Sequence, residues 1–262
     1  VQHIERTQCP AEDGDAIIET CIALGAKLRD ESVTHVGIST AGQVDVDNGV
    51  IVYGSSLANW TGQPIANRIS EALSLPTRVD NDVNCMALGE WKYGAARGIR
   101  NALFVAVGTG TGGALILNNQ LYRGHTWSAG DVCHTVLSVD GDRICDCGHS
   151  GHLESYTSGP AMEAAYAQRR KDRTLTHLPE IADRAHAGDS DAHAVIKEGA
   201  RLLGLGLSGL MAVLDPEMLV IGGGVADLDE LWWEPLRNTI ANGPLPGPSR
   251  VCLLYTSPSP RD

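Results

Sequence analysis

Ala102-Leu-Phe-Val-Ala-Val107-Gly108-Thr109-Gly110-Thr111-Gly112-Gly113-Ala114-Leu-Ile-Leu117 is the stretch on which the fold turns. It reads as two apolar strands, Ala102–Val107 and Ala114–Leu117, joined by a glycine-rich turn. Such a turn brings successive backbone N–H groups to one point, and glycine lets an anion approach without a Cβ in the way. Thr109 and Thr111 add hydroxyl donors. The run lacks the Gly-Lys-Ser/Thr of a P-loop, and no helix follows it directly as a dinucleotide fingerprint requires. A tight hairpin and a phosphate cradle therefore both remain open.

On either side, strands and helices alternate, the pattern of an α/β protein. Asp13–Asp30 predicts an amphipathic helix, with Ile17, Ile18, Cys21, Ile22, Leu24 and Leu28 on or near one face. Strands are expected at Val33–Thr40, Val50–Tyr53 and Thr77–Val79, and helices at Pro64–Ser74 and Asn81–Tyr93. Residues 124–154 have no periodicity and are rich in Gly, His and Cys. Beyond them, helices are expected at Pro160–Arg169, near His177–Ala187, at Ala192–Leu214 and at Leu228–Ile240. A buried strand, Met218–Ile221, runs into Gly222-Gly223-Gly224.

Spacing and composition put a boundary near Gly98, giving an amino-terminal part (1–98) and a carboxyl-terminal part (99–250). After the Pro/Gly-rich Gly243–Pro248, residues 251–262 show no period and are expected to be disordered or artefactual. The chain opens at Val1 without a Met or a first strand, the expected appearance of an amino-terminally truncated protein.

Bulk composition narrows the chemistry. The 262 residues are 43% hydrophobic and carry a formal net charge of −12. That acidity argues against nucleic acid or an anionic membrane as partner, although a small anionic ligand can still be held by backbone N–H groups and Mg²⁺. The seven cysteines are odd in number, and four are isolated; with no signal peptide or membrane-length apolar run, a cytoplasmic location is expected.

Three further clusters carry chemistry. Asp80-Asn81-Asp82-Val83-Asn84 crowds a strand-to-helix junction. One helix cap needs one such residue, so an Asp here is available as a general base and Asn81 as a hydroxyl ligand. His134, Cys145, Cys147 and His152 supply two imidazoles and two thiolates within 19 residues, a closed set suited to structural zinc. Gly222–Gly224 ends a strand where α/β sheets bind ligands.

Taken in order, these pieces resemble the ROK family of repressors, open-reading-frame proteins and sugar kinases. The matching stretches are Ala41-Gly42, Asn81-Asp82, Gly108–Gly113, Ala129-Gly130-Asp131-Val132-Cys133-His134, Cys145-Asp-Cys147-Gly-His-Ser-Gly-His152-Leu-Glu154 and Gly222–Gly224. The resemblance implies an actin/hexokinase-like (ribonuclease H-like) fold of two α/β lobes with a cleft between them. It implies a cytoplasmic ATP-dependent phosphotransferase of carbohydrate metabolism that phosphorylates a glucose-like hexose at its 6-hydroxyl.

Under that resemblance Asp82 is the general base, and Gly42, Asn81, Asp82, Asp131, His134 and Glu154 contact the sugar. Gly108, Thr109, Gly110, Thr111, Gly112 and Gly113 cradle the phosphates of Mg²⁺-ATP, with Gly222, Gly223 and Gly224 near the nucleoside. His134, Cys145, Cys147 and His152 hold zinc, and a homodimer or homotetramer is expected. Family kinases also begin with an Asp-x-Gly-Gly-Thr phosphate loop; nothing like it precedes Asp13, so this chain by itself is expected to transfer phosphate poorly.

Three residues depart from the pattern: His152 stands for the usual Cys, Asp131 for Glu and Cys133 for Gly. The alternatives are an N-acetylmannosamine or other N-acetylhexosamine kinase, a sugar-responsive repressor whose DNA-binding domain lies upstream, and a zinc-stabilised sugar-binding module.

Overall fold

The computed structural model describes residues 3–55, 57–141, 143–171, 176–243, 245–248 and 251–255. The chain divides into two units, Val1–Cys85 with Gly124–Ser128, and Met86–Arg123 with Ala129–Asp262. The division falls inside a helix at Cys85, not near Gly98. Beyond that point Trp91 donates its indole N–H to Ile99 O at 2.9 Å, tying the helix to the strand that follows.

In the first unit, helix α1 (Gly14–Leu28) starts where Asp13 accepts the N–H of Asp15. Strand β1 (Val36–Thr40) leads to a hairpin of β2 (Gln43–Asp45) and β3 (Val50–Tyr53). Helix α2 (Ile65–Leu73) follows, then β4 (Thr77–Asn81), which pairs in parallel with β1 and passes directly into α3 (Asp82–Tyr93). Ile17 and Ile18 of α1 and Ile65, Ile69 and Leu73 of α2 close on Val44, Ile51, Trp60 and Val79.

The second unit is built on a five-stranded sheet. Its strands are β5 (Ala102–Val107), β6 (Thr111–Leu117), β7 (Gln120–Tyr122), β8 (Met218–Gly222) and β9 (Cys252–Tyr255), in the order β7-β6-β5-β8-β9. The first three form an antiparallel meander, and β8 and β9 add in parallel. Strand β6 begins at Thr111, not Ala114, because Gly112 and Gly113 pair with Ala106 and Val105. The expected disorder of 251–262 is corrected for Cys252–Tyr255, which fill the parallel edge of β8; residues 256–262 lie outside the described residues.

Between β7 and β8 come a 3₁₀ turn (Val132–His134) and helices α4 (Glu154–Thr157), α5 (Gly159–Arg170), α6 (Leu178–His186) and α7 (Ser190–Leu214); α8 (Glu230–Ala241) follows β8. Asp189 caps α7 by accepting the N–H groups of Asp191 and Ala192. Leu203 and Leu207 of α7 pack with Trp232 and Leu236 of α8 over the sheet residues Leu103, Val105, Leu219 and Ile221. Among the described residues no helix is long and apolar enough to cross a membrane.

Candidate functional site

Strands β5 and β8 are parallel neighbours with Ala106 opposite Gly222, so both glycine-rich runs leave the sheet at the same carboxyl edge. Gly223 has φ +93°, and a Cβ there would lie 2.3 Å from Val107 O. Only glycine allows that approach, which Val225 N–H completes by donating to Val107 O at 3.0 Å. A Cβ on Gly108 would face Gly224 N at 3.9 Å, so the two turns lie side by side with no side chain between them.

The hairpin turn is short: Gly108, Thr109 and Gly110. Thr109 is exposed beside it. Thr111 is buried and its hydroxyl lies 3.2 Å from that of Thr157, so it faces the interior of the unit. Glu154, the first residue of α4, accepts the Thr111 N–H through Oε2 at 2.8 Å, and its Oε1 accepts the Cys145 thiol at 3.6 Å. One carboxylate thus joins the glycine turn to the cysteine loop.

The loop is shaped by two isolated bridges, Val136 with His152 and Ile144 with Ser150. Gly151 carries φ +81°, and a Cβ there would fall 1.9 Å from Ser138 O. Leu153, fully buried, anchors the loop against α7, where Gly206 leaves room for its side chain. His152 and Glu154 flank that anchor and are fixed by it.

His134, Cys145, Cys147 and His152 each bring a ligand atom within 4.8 Å of the others. Cys147 Sγ already lies 3.2 Å from His152 Nδ1, and the His134 and His152 rings stand edge to face at 5.2 Å. Two sulfurs and two nitrogens suit tetrahedral zinc, whose bonds run about 2.0–2.3 Å. Burial pushes the Cys145 thiol up. Burial also raises Cys147, but hydrogen bonds from His149 and Cys145 outweigh it and the thiol falls below its usual value.

The expected sugar ligand Asp131 turns toward His134. Its Oδ2 lies 2.9 Å from His134 Nδ1, and its Oδ1 accepts the Cys133 thiol at 2.7 Å. This hydrogen bond raises the His134 imidazole to about 9, against the opposing effect of burial. Asp131, Cys133 and His134 form a second possible donor set that shares His134 with the first.

In the first unit Asn81 caps α3: its Oδ1 accepts the N–H groups of Val83 (2.9 Å) and Asn84 (3.1 Å). Its Nδ2 donates to Gly42 O at 3.0 Å, which brings the two expected sugar-site positions together. Asp80 accepts from Asn84 Nδ2 at 3.0 Å. Asp82 stands at the helix start, where its Oδ1 accepts the Val83 N–H at 3.0 Å. Desolvation by the surrounding protein raises its carboxyl above the usual range, opposing the N–H donors that lower it.

Sequence reasoning missed Thr157 and the engagement of Cys133. The signal for Cys133 was present in its place beside His134; Thr157 becomes visible only through the pairing of α4 with the hairpin.

The chain is similar to known proteins along most of its length. It is 32% identical over 231 residues to the glucokinase of Streptomyces coelicolor, covering 82% of this chain and 72% of that protein. The xylose repressor of Caldicellulosiruptor bescii is 29% identical over 80% of this chain and 55% of the repressor. The crystal structure of a ROK family glucokinase from Streptomyces griseus, in complex with glucose and AMPPNP, superposes with a TM-score of 0.79 at 29% identity, over 96% of this chain and 85% of that one. These neighbours share the actin/hexokinase-like α/β fold. With residues 1–253 matching the ROK family, the chain belongs to that family.

Proposed function

We propose that the protein is an ATP-dependent sugar kinase that transfers the γ-phosphoryl group to the 6-hydroxyl of a glucose-like hexose. The observation that carries this reading is the pair of glycine turns, Gly108–Gly110 and Gly222–Gly224, side by side at the carboxyl ends of β5 and β8. Backbone N–H groups with no Cβ between them suit a polyphosphate. Mg²⁺ would accompany the nucleotide and neutralise its charge.

Asp82 is the base in this reading. Asn81 spends its side chain on the α3 cap and on Gly42, which fixes the helix start. The neighbouring carboxylate of Asp82 is thereby held in place, and it accepts the hydroxyl proton as the sugar oxygen attacks phosphorus and ADP leaves. Its raised pKa brings it closer to the proton it must take.

His134, Cys145, Cys147 and His152 would hold a structural zinc ion that stiffens the loop. Glu154 transmits that stiffness to the glycine turn through Thr111 N–H. A loop held in this way can present groups to sugar hydroxyls at constant angles.

Assaying the protein from its complete reading frame against glucose, N-acetylglucosamine and N-acetylmannosamine with Mg²⁺-ATP tests the reading. Glucose-dependent ADP release is expected. Turnover only with an N-acetylated sugar would move the substrate class, and sugar binding without any phosphorylation would favour the repressor reading.

A further inference from the structure

His134 is expected to serve both a zinc ion and a sugar hydroxyl, yet it has two nitrogens and one is already engaged. Its Nδ1 lies 2.9 Å from Asp131 Oδ2. A carboxylate only accepts, so Nδ1 carries a proton and donates it; a metal taken by this ring is then taken at Nε2, which gives up its own proton to bind. Backbone geometry produces this pair. Asp131 and His134 are three residues apart across the 3₁₀ turn, where side chains at that spacing eclipse. The Asp131 carboxylate makes no cap hydrogen bond at the turn and reaches His134 instead.

We propose that Asp131 is a positioning residue that fixes His134 as an Nε2 zinc ligand and so leaves His134 without a nitrogen for a sugar hydroxyl. The ion supplies only the structural tie; Asp131 supplies the tautomer and the ring orientation, as outer carboxylates do for metal-bound histidines. The shorter side chain matters. Where the family usually has Glu, the Asp here engages both oxygens within its own loop, Oδ2 with His134 and Oδ1 with the Cys133 thiol.

This inference rests on zinc bound by His134, Cys145, Cys147 and His152. The competing arrangement places an ion on Asp131, Cys133 and His134, the second donor set.

The test uses the full chain, stripped of metal and titrated with zinc against a chromophoric chelator, with long-range ¹H–¹⁵N NMR of the loaded protein. The proposal expects His134 protonated on Nδ1 with the metal on Nε2. It expects Asp131→Asn, nearly the same shape, to weaken zinc binding by about 10–100-fold, while Cys133→Ala changes it by less than about threefold. Zinc bound through Nδ1, or Asp131→Asn binding zinc as tightly as the parent, overturns it while leaving the metal reading intact. A loss of zinc in Cys133→Ala as large as in Cys145→Ser would place the ion on the second set and also overturn it. A parent chain that binds no zinc sinks the metal reading and this proposal together.

Discussion

Gly151 and Gly148 offer a paired test of how the cysteine loop is held. Both have left-handed backbone, φ +81° and +87°, but they differ in surroundings. A Cβ on Gly148 would meet nothing within 4 Å, whereas one on Gly151 would sit 1.9 Å from Ser138 O. Gly148→Ala therefore carries the left-handed penalty alone, roughly 1–2 kcal/mol, partly offset by about 0.4–1 kcal/mol from the stiffer unfolded chain. A net loss of about 1 kcal/mol follows.

Gly151→Ala carries the same penalty and must also push the segment at Ser138 away. That strains the N–H bonds that Leu137 (2.8 Å) and Ser138 (3.2 Å) donate to Gly151 O, each contributing about 1 kcal/mol. The total comes to about 3 kcal/mol. For a chain of this size each kcal/mol lowers Tm by roughly 2–4 °C, so the expected drops are about 3 °C for Gly148→Ala and about 10 °C for Gly151→Ala. The assay is thermal unfolding by circular dichroism at a set zinc concentration, with bound zinc measured in parallel. Both glycines adjoin a proposed ligand, Gly148 following Cys147 and Gly151 preceding His152, but only the clash at Gly151 displaces the backbone, so Gly151→Ala should weaken zinc binding more than Gly148→Ala. Equal shifts in the two variants would refute the steric argument, and a wild-type Tm for Gly151→Ala would refute the loop geometry.

Three other outcomes follow from the same structure. Because desolvation raises the Asp82 carboxyl, the acidic limb of kcat/KM should lie above the ordinary carboxylate value; activity falls as pH drops through it, since a protonated base cannot accept. A limb at or below that ordinary value in a pH-rate profile would count against Asp82. Glu154→Ala removes a charge-assisted bond to Thr111 N–H and should cost about 1.5–3 kcal/mol in denaturant unfolding, while Glu154→Gln, which keeps an acceptor, should cost about 1 kcal/mol; equal losses would contradict the charge argument. Leu153→Ala, at a fully buried anchor between His152 and Glu154, should cost about 2–5 kcal/mol and loosen zinc, so an unchanged midpoint would show that the loop does not depend on it.

Much of the fold was legible because its signals are local. The apolar runs of β5 and β8 each end in glycines, and the spacing of Ile17, Ile18 and their neighbours marked α1. What escaped depends on partners distant in sequence. Gln43–Asp45 and Gln120–Tyr122 are three-residue strands defined by the hairpins they complete, and Cys252–Tyr255 becomes a strand only because β8 offers a free parallel edge. The division at Cys85 lies inside the continuous helical pattern of Asp82–Tyr93, which carries no mark of it in the sequence.

The candidate site divides in the same way. Residue types singled out His134, Cys145, Cys147 and His152, which are unusual in one aperiodic loop, and the structure brings their possible ligand atoms within 4.8 Å of one another. Spacing could not reveal that Asp131 engages His134, because that contact needs the 3₁₀ turn between them. Nor could it show that β6 starts at Thr111, which turns the Thr111 hydroxyl toward Thr157 and narrows the glycine turn to Gly108–Gly110.

Transfer of the γ-phosphoryl group from ATP to glucose, measured side by side for the protein from its complete reading frame and its Asp82→Asn variant, tests the account most directly. The account predicts glucose 6-phosphate from the parent and a kcat lower by at least about 100-fold in the variant, with glucose affinity nearly unchanged. Equal turnover by the two proteins, or no phosphorylated sugar from either, would contradict it.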